Sequence, residues 1–379
     1  APRGDHQSAD WGPVMSAPTH RRTRAVQSQR LRNAARGFTM VELMVAMALG
    51  LLLLGVLVAM VVSTIGSRNE LDKSSRQIEN GRYALQVLTS DIESAGFIGT
   101  SGQQMWDRRA PQACPTTLAE LGYDPTAKQL PLAVQLLTTA PTCLTNVKAD
   151  TGMLLVTRAS SLTTTPSGAV GTEAYLQVST CGKPSASGVQ EPEFGIDTGA
   201  GGKFPLRQKD CDTANPAPLR KAIHRIYYIA TCNECGADTI PTLKVAEFIG
   251  GKMTVTALVD GIENMQFEMG VDMDGNGSPD CYVGDTDNPL PAQIDAGRCP
   301  QPATAYDWTQ VNANRENVVT VRVGLLARNT ESSADWTDSR TYSLGLNAPE
   351  VGPFNDRFKR HAYSSVPRII NVSALREQP

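Results

Sequence analysis

No cysteine precedes Cys114, no lysine occurs in residues 1–37, no proline occurs from residue 38 to residue 110, and no apolar run other than 43–65 is long enough to cross a bilayer. The last absence excludes a polytopic membrane protein, while a hydrophobic content of 41% excludes a disordered polar tract. Charged residues are 19% of the 379, below the usual ~25%. A net charge of −3 argues against a general nucleic-acid binder. Chemistry-bearing patterns are also missing. No G-x-S-x-G elbow and no paired catalytic acids occur. A phosphate loop fails at 197–204, where Asp197 stands in place of its first glycine and Phe204 in place of its Ser/Thr. No active site is legible, and the expectation is a protein that is not an enzyme.

What is present is unevenly placed. Residues 1–37 hold seven arginines and two aspartates, a net of +5, which leaves −8 for the other 342. All eight cysteines (Cys114, Cys143, Cys181, Cys211, Cys232, Cys235, Cys281, Cys299) lie on the far side of the apolar run. About 20 apolar residues in a helix span the hydrocarbon core, so 43–65 predicts a single crossing. Arginines beside a span favour the cytoplasmic side, which puts 66–379 outside the cytoplasm. An even cysteine count there fits a disulfide-permissive compartment. Eight cysteines allow 105 pairings; pairing of neighbours along the chain is the working expectation. An ordinary secretory signal would have a shorter apolar core and a small-residue site after it, so a plain signal anchor is the stronger alternative.

One acid, Glu42, intrudes at the edge of the run. A carboxylate at membrane depth costs about 2.5–3.5 kcal/mol on insertion scales and is by default a functional residue in need of a partner. No basic residue follows it until Arg68. The series Gly37-Phe38-Thr39-Met40-Val41-Glu42-Leu43 resembles the class III signal of type IV prepilins and pseudopilins. The resemblance implies a dedicated prepilin peptidase that cuts after Gly37 and methylates the new N-terminal Phe38. It makes Glu42 the fifth mature residue, placed to pair with the Phe38 amine of a neighbouring subunit as helices bundle. Such a buried pair offsets its desolvation only with good geometry, which makes it a register device for assembly. The chain begins with Ala1, and counting from Met15 would give a 23-residue leader; residues 1–14 are read as a mis-assigned start.

Beyond the run the pattern turns amphipathic, with Leu71, Ile78, Leu85, Leu88, Ile92 and Ala95 on one face, until Gly96 and Gly99 stop it. A helix over 38–95 would reach on the order of 85 Å at ~1.5 Å per residue, with Gly50 and Gly55 as points of weakness. A coiled-coil dimer is the alternative for the leucines, opposed by Gly81 and the shortness of the run. Residues 100–220 read as loop-rich, with strands near 153–157 and 174–179. Strand patterns strengthen at 224–230, 242–249, 253–259, 262–270 and 318–327. Gly250-Gly251 and Asp260-Gly261 read as hairpin turns, and the Gly-rich stretch 195–203 as a flexible loop. The expected class is α+β, with an antiparallel sheet.

Ile262-Glu263-Asn264-Met265-Gln266-Phe267, then Gly270-Val271-Asp272-Met273-Asp274-Gly275-Asn276-Gly277, then Val319-Thr320-Val321-Arg322-Val323 resemble the PilW family of type IV pilus assembly proteins. The tail Arg357-Phe358-Lys359-Arg360-His361 and the helix end Glu93-Ser94-Ala95-Gly96-Phe97 add to the likeness, whereas 100–220 match poorly. The resemblance implies a pilin-like fold, with a leader at 1–37, a transmembrane half-helix at 38–66, an amphipathic half at 67–99 and a disulfide-bearing head at 100–379. It implies a minor pilin of the bacterial inner membrane, its head in the periplasm before it joins the filament. Its implied partners are the prepilin peptidase, other minor pilins, the major pilin and a tip adhesin. A minor pseudopilin of a type II secretion system, or a signal-anchored extracytoplasmic binding protein, is the rival reading.

Two smaller constellations remain. Asp272, Asp274, Asn276 and Asp280 occupy positions 1, 3, 5 and 9 of an EF-hand-like loop with Gly277 at position 6, which suits calcium. Position 12 is Val283, so Asp285 or Asp287 would have to complete the shell; a polar turn is the alternative. Cys232-Asn233-Glu234-Cys235 fits a redox pair, half a zinc site or a small-loop structural disulfide. Only His224 and His361 follow residue 37 and there is no second C-x-x-C, which disfavours zinc; the structural bridge is the expected reading.

Overall fold

The structure is a computed structural model that describes residues 37–99, 106–182, 193–295, 297–302 and 304–377. The basic leader lies outside the described residues except for Gly37. The chain divides into two compact units, Ala1–Ser63 and Thr64–Pro379. Helix α1 (Met40–Glu93) begins in the first and ends in the second. Gly50 and Gly55 do not interrupt it. Every residue from 37 to 69 is exposed, including the large apolar side chains from Phe38 to Ile65. Helix α1 is long and apolar enough to cross a membrane.

In the second unit the chain runs through β1 (Asp107–Arg109), β2 (Gln129–Pro131), β3 (Val134–Leu137), β4 (Met153–Ala159), β5 (Ala174–Val178) and β6 (Phe194–Thr198). It continues through β7 (Leu219–Ala230), β8 (Thr242–Ile249), β9 (Lys252–Asp260), β10 (Ile262–Val271) and β11 (Cys281–Val283). Then come helix α2 (Val311–Glu316), β12 (Val318–Arg328), β13 (Arg360–Ser365) and helix α3 (Ile370–Arg376). Strands β1 and β2 form a small parallel pair. All other named strands belong to two antiparallel sheets. In the seven-stranded one, β4 lies between β3 and β7; β5 and β8 share the far edge of β7, and β6 and β9 border them. The four-stranded one has the order β11-β10-β12-β13. The fold is α+β: a long N-terminal helix with an antiparallel-sheet head, as the sequence pattern predicts.

Three sequence expectations need correction. Gly250-Gly251 does close the β8–β9 hairpin, but Asp260-Gly261 closes none: β9 pairs with β8 and β10 pairs with β11 and β12. The chain changes sheets there, and Asn80 of α1 holds the crossing by donating to Asp260 Oδ1 (2.7 Å) and to its carbonyl (3.2 Å). Within 195–203, residues up to Thr198 belong to β6, whose ladder with β5 supplies the backbone bonds a loop would lack.

The third correction concerns the packed face of α1. Leu71 and Ile78 are 69% and 47% exposed. The buried face is Gln77, Gly81, Ala84, Leu88, Asp91 and Ile92, spaced by threes and fours as a helix stripe should be. Ala84, Leu88 and Ile92 join one core with Leu154, Val156, Tyr227 and Leu243 of the larger sheet and Met265, Val323 and Leu325 of the smaller. Each large apolar side chain so buried contributes about 1.5–3 kcal/mol. Small residues line part of the stripe because the sheet comes close: a Cβ on Gly81 would lie 2.3 Å from the Tyr363 ring. Tyr363 is held in place by an edge contact with His361 at 4.7 Å. Helix α1 ends where Gly96 takes φ +73° and donates to Thr157 O at 2.8 Å. Asn371 of α3 donates from Nδ2 to the carbonyls of Ser94 and Ala95 at the helix end.

Alanine at position 81 should therefore destabilise the full chain in detergent, although alanine is the better helix former by about 1 kcal/mol. A lower melting temperature for Gly81→Ala, restored by adding Tyr363→Leu, is the expected result.

Candidate functional site

At the N-terminal junction the backbone starts its helix with a reciprocal cap. Thr39 donates from its N–H and its hydroxyl to Glu42 Oε2, both at 3.1 Å, and Glu42 N–H donates to Thr39 Oγ1 at 3.2 Å. This is the Ser/Thr-x-x-Glu capping box, in which two otherwise unmet donors are satisfied together. Beside the neighbouring subunit's amine that the resemblance implies, the T-x-x-E spacing gives Glu42 a partner in its own chain. Phe38 is 84% exposed beside it, and Gly37 is exposed as well.

Further along α1, polar side chains tie the helix to both sheets. Glu70 accepts from Lys359 Nζ at 2.7 Å and from Lys73 Nζ at 3.3 Å, and Lys73 also donates to Ser332 O. The Lys359 ammonium, helped by the Ser333 hydroxyl, draws the Glu70 carboxyl down from 4.5 to about 2. Gln77 donates to Ala327 O (2.8 Å) and Lys359 O (3.0 Å). Near the helix end the buried Asp91 accepts from Arg158 Nε and Tyr227 Oη, each at 2.7 Å, and lies 3.3 Å from Arg225 Nη1. Arg225 in turn reaches Glu247 at 2.9 Å. A buried carboxylate left without such partners would be strongly destabilising.

The suspected calcium ligands do come together: Asp272, Asp274 and Asp280 place carboxylate oxygens within 4.8 Å of one another. Their acceptors are directed at the loop itself. Asp272 accepts from the N–H groups of Gly275 (2.8 Å), Asn276 (3.1 Å) and Gly277 (3.0 Å), and its Oδ2 lies 3.3 Å from Arg376 Nη1. Asp280 accepts from Met273 N–H, and Asp274 from Asn276 N–H and Nδ2. Val283 is in β11, Asp287 is engaged by Arg315 and Asp285 caps Asp287 N–H. In this geometry the three carboxylates serve N–H groups of their own loop, and Asp272 also faces the Arg376 guanidinium.

The eight cysteines are joined as Cys114–Cys143, Cys181–Cys211, Cys232–Cys235 and Cys281–Cys299. A cavity of about 230 Å³, not anticipated from sequence, is lined by Trp106, Asp107, Arg108, Glu316, Leu375 and Arg376. It contains no nucleophile with an adjacent base.

Two family models match the chain. That of the prokaryotic N-terminal methylation motif covers residues 32–58, and that of the type IV pilus-assembly protein W, PilW, covers residues 226–371, from within β7 to the first turn of α3. Over residues 226–371 the chain resembles the PilW family of type IV pilus-assembly proteins, behind a prepilin-type methylation motif. Searches among curated proteins and among solved structures return no match. Residues 100–220, set apart by their composition, lie outside both matched regions.

The residues that carried the PilW likeness now have physical roles. Glu263 of β10 pairs with the buried Arg360 of β13, and Arg360 also binds Asp338 (3.2 Å) and Asp356 (2.6 Å). The Phe354 ring lies 3.6 Å from its guanidinium carbon. Burial works against the Arg360 charge, but its bonds to Asp356 and Glu263 outweigh that and hold the group above the ordinary arginine range. Hydrogen bonds from Arg360 hold the Asp356 carboxyl below its usual value. Arg322 meets Glu268 at 2.5 Å and stacks on Tyr282 at 4.1 Å. The PilW-like tail is thus the clamp that fastens the long loop between the neighbouring strands β12 and β13 to the smaller sheet.

Three outcomes follow from these contacts. Arg360→Met removes the buried cation shared by Glu263 and Asp338, leaving them only Arg328 and Arg340, and should cost about 3–5 kcal/mol in denaturant unfolding. Glu70, whose value is depressed in the fold, stabilises fully above pH 4.5 and less as pH falls toward about 2. Glu70→Gln should therefore shrink the loss of melting temperature across that window. Finally, millimolar calcium should leave the melting temperature unchanged, and a rise would show that the 272–280 loop opens to take the ion.

Proposed function

We propose that this PilW-like chain is a minor pilin that helps start the pilus after cleavage between Gly37 and Phe38. The single observation that carries the reading is the junction itself: an exposed Phe38, a Thr39–Glu42 capping box and an unbroken apolar helix directly behind them. Cutting before the span keeps the helix on the mature protein, whereas ordinary signal processing would discard it. Before assembly, Thr39 satisfies part of the Glu42 carboxylate inside its own chain, which lowers the penalty of holding an acid near lipid. In the filament the carboxylate exchanges into a pair with the Phe38 amine of a neighbour.

Orientation is supported by the seven arginines on one side of the apolar run and the four disulfides on the other. That arrangement fits a periplasmic head that later joins the filament with other minor pilins, the major pilin and a tip adhesin. The PilW match favours this reading over a type II secretion pseudopilin, which would share the leader and helix. Deleting the gene separates them: loss of surface pili with secretion intact is expected, and the reverse pattern would assign the chain to secretion. A Glu42→Ala variant should be cleaved normally yet be at least several-fold depleted from purified filaments. Wild-type incorporation of that variant would contradict the proposed pairing.

A further inference from the structure

We infer that Cys232–Cys235 is a site of thiol–disulfide exchange with an external thiol, distinct in role from the three bridges that hold the head together. Four independent observations converge on it. Of the eight cysteines, Cys235 alone is exposed, while its partner Cys232 is buried. Access of a thiolate to one sulfur is the first requirement for exchange. The bridge closes a separation of 3 residues, against 29, 30 and 18 for the others, so it removes the least freedom from the unfolded chain.

The loop does not need the bridge to keep its shape. The Asp238 carboxylate accepts from the N–H groups of Asn233 (2.9 Å), Glu234 (2.6 Å) and Ile240 (2.8 Å). Ala237 and Asp238 N–H groups both donate to Glu234 O. The β7–β8 ladder on either side is intact without the sulfurs. Lastly, Lys244 of β8, itself nearly buried, places Nζ 3.8 Å from Cys235 Sγ and is fixed there by donating to Asn233 O at 2.9 Å. A cation beside a sulfur favours its thiolate. Lys244 acts as a positioning and stabilising residue, with the carboxylates of Glu234 and Asp238 as the other charges of the loop.

The exchange balances as two displacements. An external thiolate attacks Sγ of the exposed Cys235 and forms a mixed disulfide; the Cys232–Cys235 bond breaks and its electron pair leaves on Cys232 Sγ, which takes a proton from water. A second thiol attacks the external sulfur of that mixed disulfide, forms the external disulfide and releases Cys235 as a thiolate facing Lys244. The bridge gains two electrons and two external thiols are oxidised. The chemical class of the partner is a thiol, whether a small molecule or a cysteine of another protein at the mixed-disulfide stage.

The test uses the full chain in detergent micelles with dithiothreitol as the probe. After graded reduction, acid quench, unfolding and alkylation, peptide mapping reads which cysteines carry label. Label on Cys232 and Cys235 at reductant levels that leave the other six unlabelled is the expected result. Simultaneous opening of all four bridges, or earlier opening of any of the other three, overturns the inference. For the selectively reduced protein, native alkylation of Cys235 near pH 7 should be several-fold slower in Lys244→Met than in wild type, with Lys244→Arg restoring it. Equal rates in all three would remove Lys244 from the account. Should Lys244→Met fail to fold, the graded reduction of wild type together with Lys244→Arg decides the matter.

Discussion

The core that the two sheets share is built on one packed stripe of helix, Gln77, Gly81, Ala84, Leu88, Asp91 and Ile92. Two sheets that share no ladder meet in a common core on that stripe. Gln77 reaches the carbonyls of the smaller sheet, Asn80 holds the point where the chain changes sheets, and Asp91 binds arginines and a tyrosine of the larger. The apolar contacts supply most of the stabilisation. The buried polar groups set the rotation of the helix, because turning it by one residue would leave Asp91 and Gln77 without partners. The same helix α1 begins just after the junction at Phe38 and includes Glu42.

The PilW-like segments owe their residue types to this frame. Glu263, Arg360, Asp338 and Asp356 form a largely buried ionic cluster that ties the β12–β13 loop to β10. A cluster of this kind is a poor source of net stability compared with apolar packing, but it is severe on any alternative arrangement. The 272–280 loop follows the same logic on a smaller scale, with Asp272 gathering three backbone N–H groups and Arg376 of α3 closing over it. These acidic residues hold loop backbone and arginine.

Much of this was legible from the residues alone. The helix, its termination at Gly96, the main strands and the Gly250-Gly251 hairpin all follow from period and turn chemistry. Long-range choices were not. Asp260-Gly261 has the local signature of a hairpin, and only the competition between two sheets makes it a crossing. Leu71 and Ile78 sit at helical spacing with Leu85 and Leu88, yet the sheet approaches so closely that glycine and alanine take the packed face instead. At the candidate site the residues Gly37, Phe38 and Glu42 were identifiable by motif, while the Thr39 cap was visible in the T-x-x-E spacing and passed over. The exposure of Cys235, and the lysine beside its sulfur, depend on how β8 lies against the loop and have no counterpart in sequence.

The account rests on the helix being retained and exposed to assembly by a cut at its very start. The most direct measurement is the intact mass and N-terminal peptide of the chain isolated from membranes of cells that contain a prepilin peptidase. A mature chain that starts at Phe38, with a methyl group on its amine, is the predicted result. A chain that still carries its arginine-rich leader, or one cleaved beyond residue 65 so that the helix is lost, would contradict it.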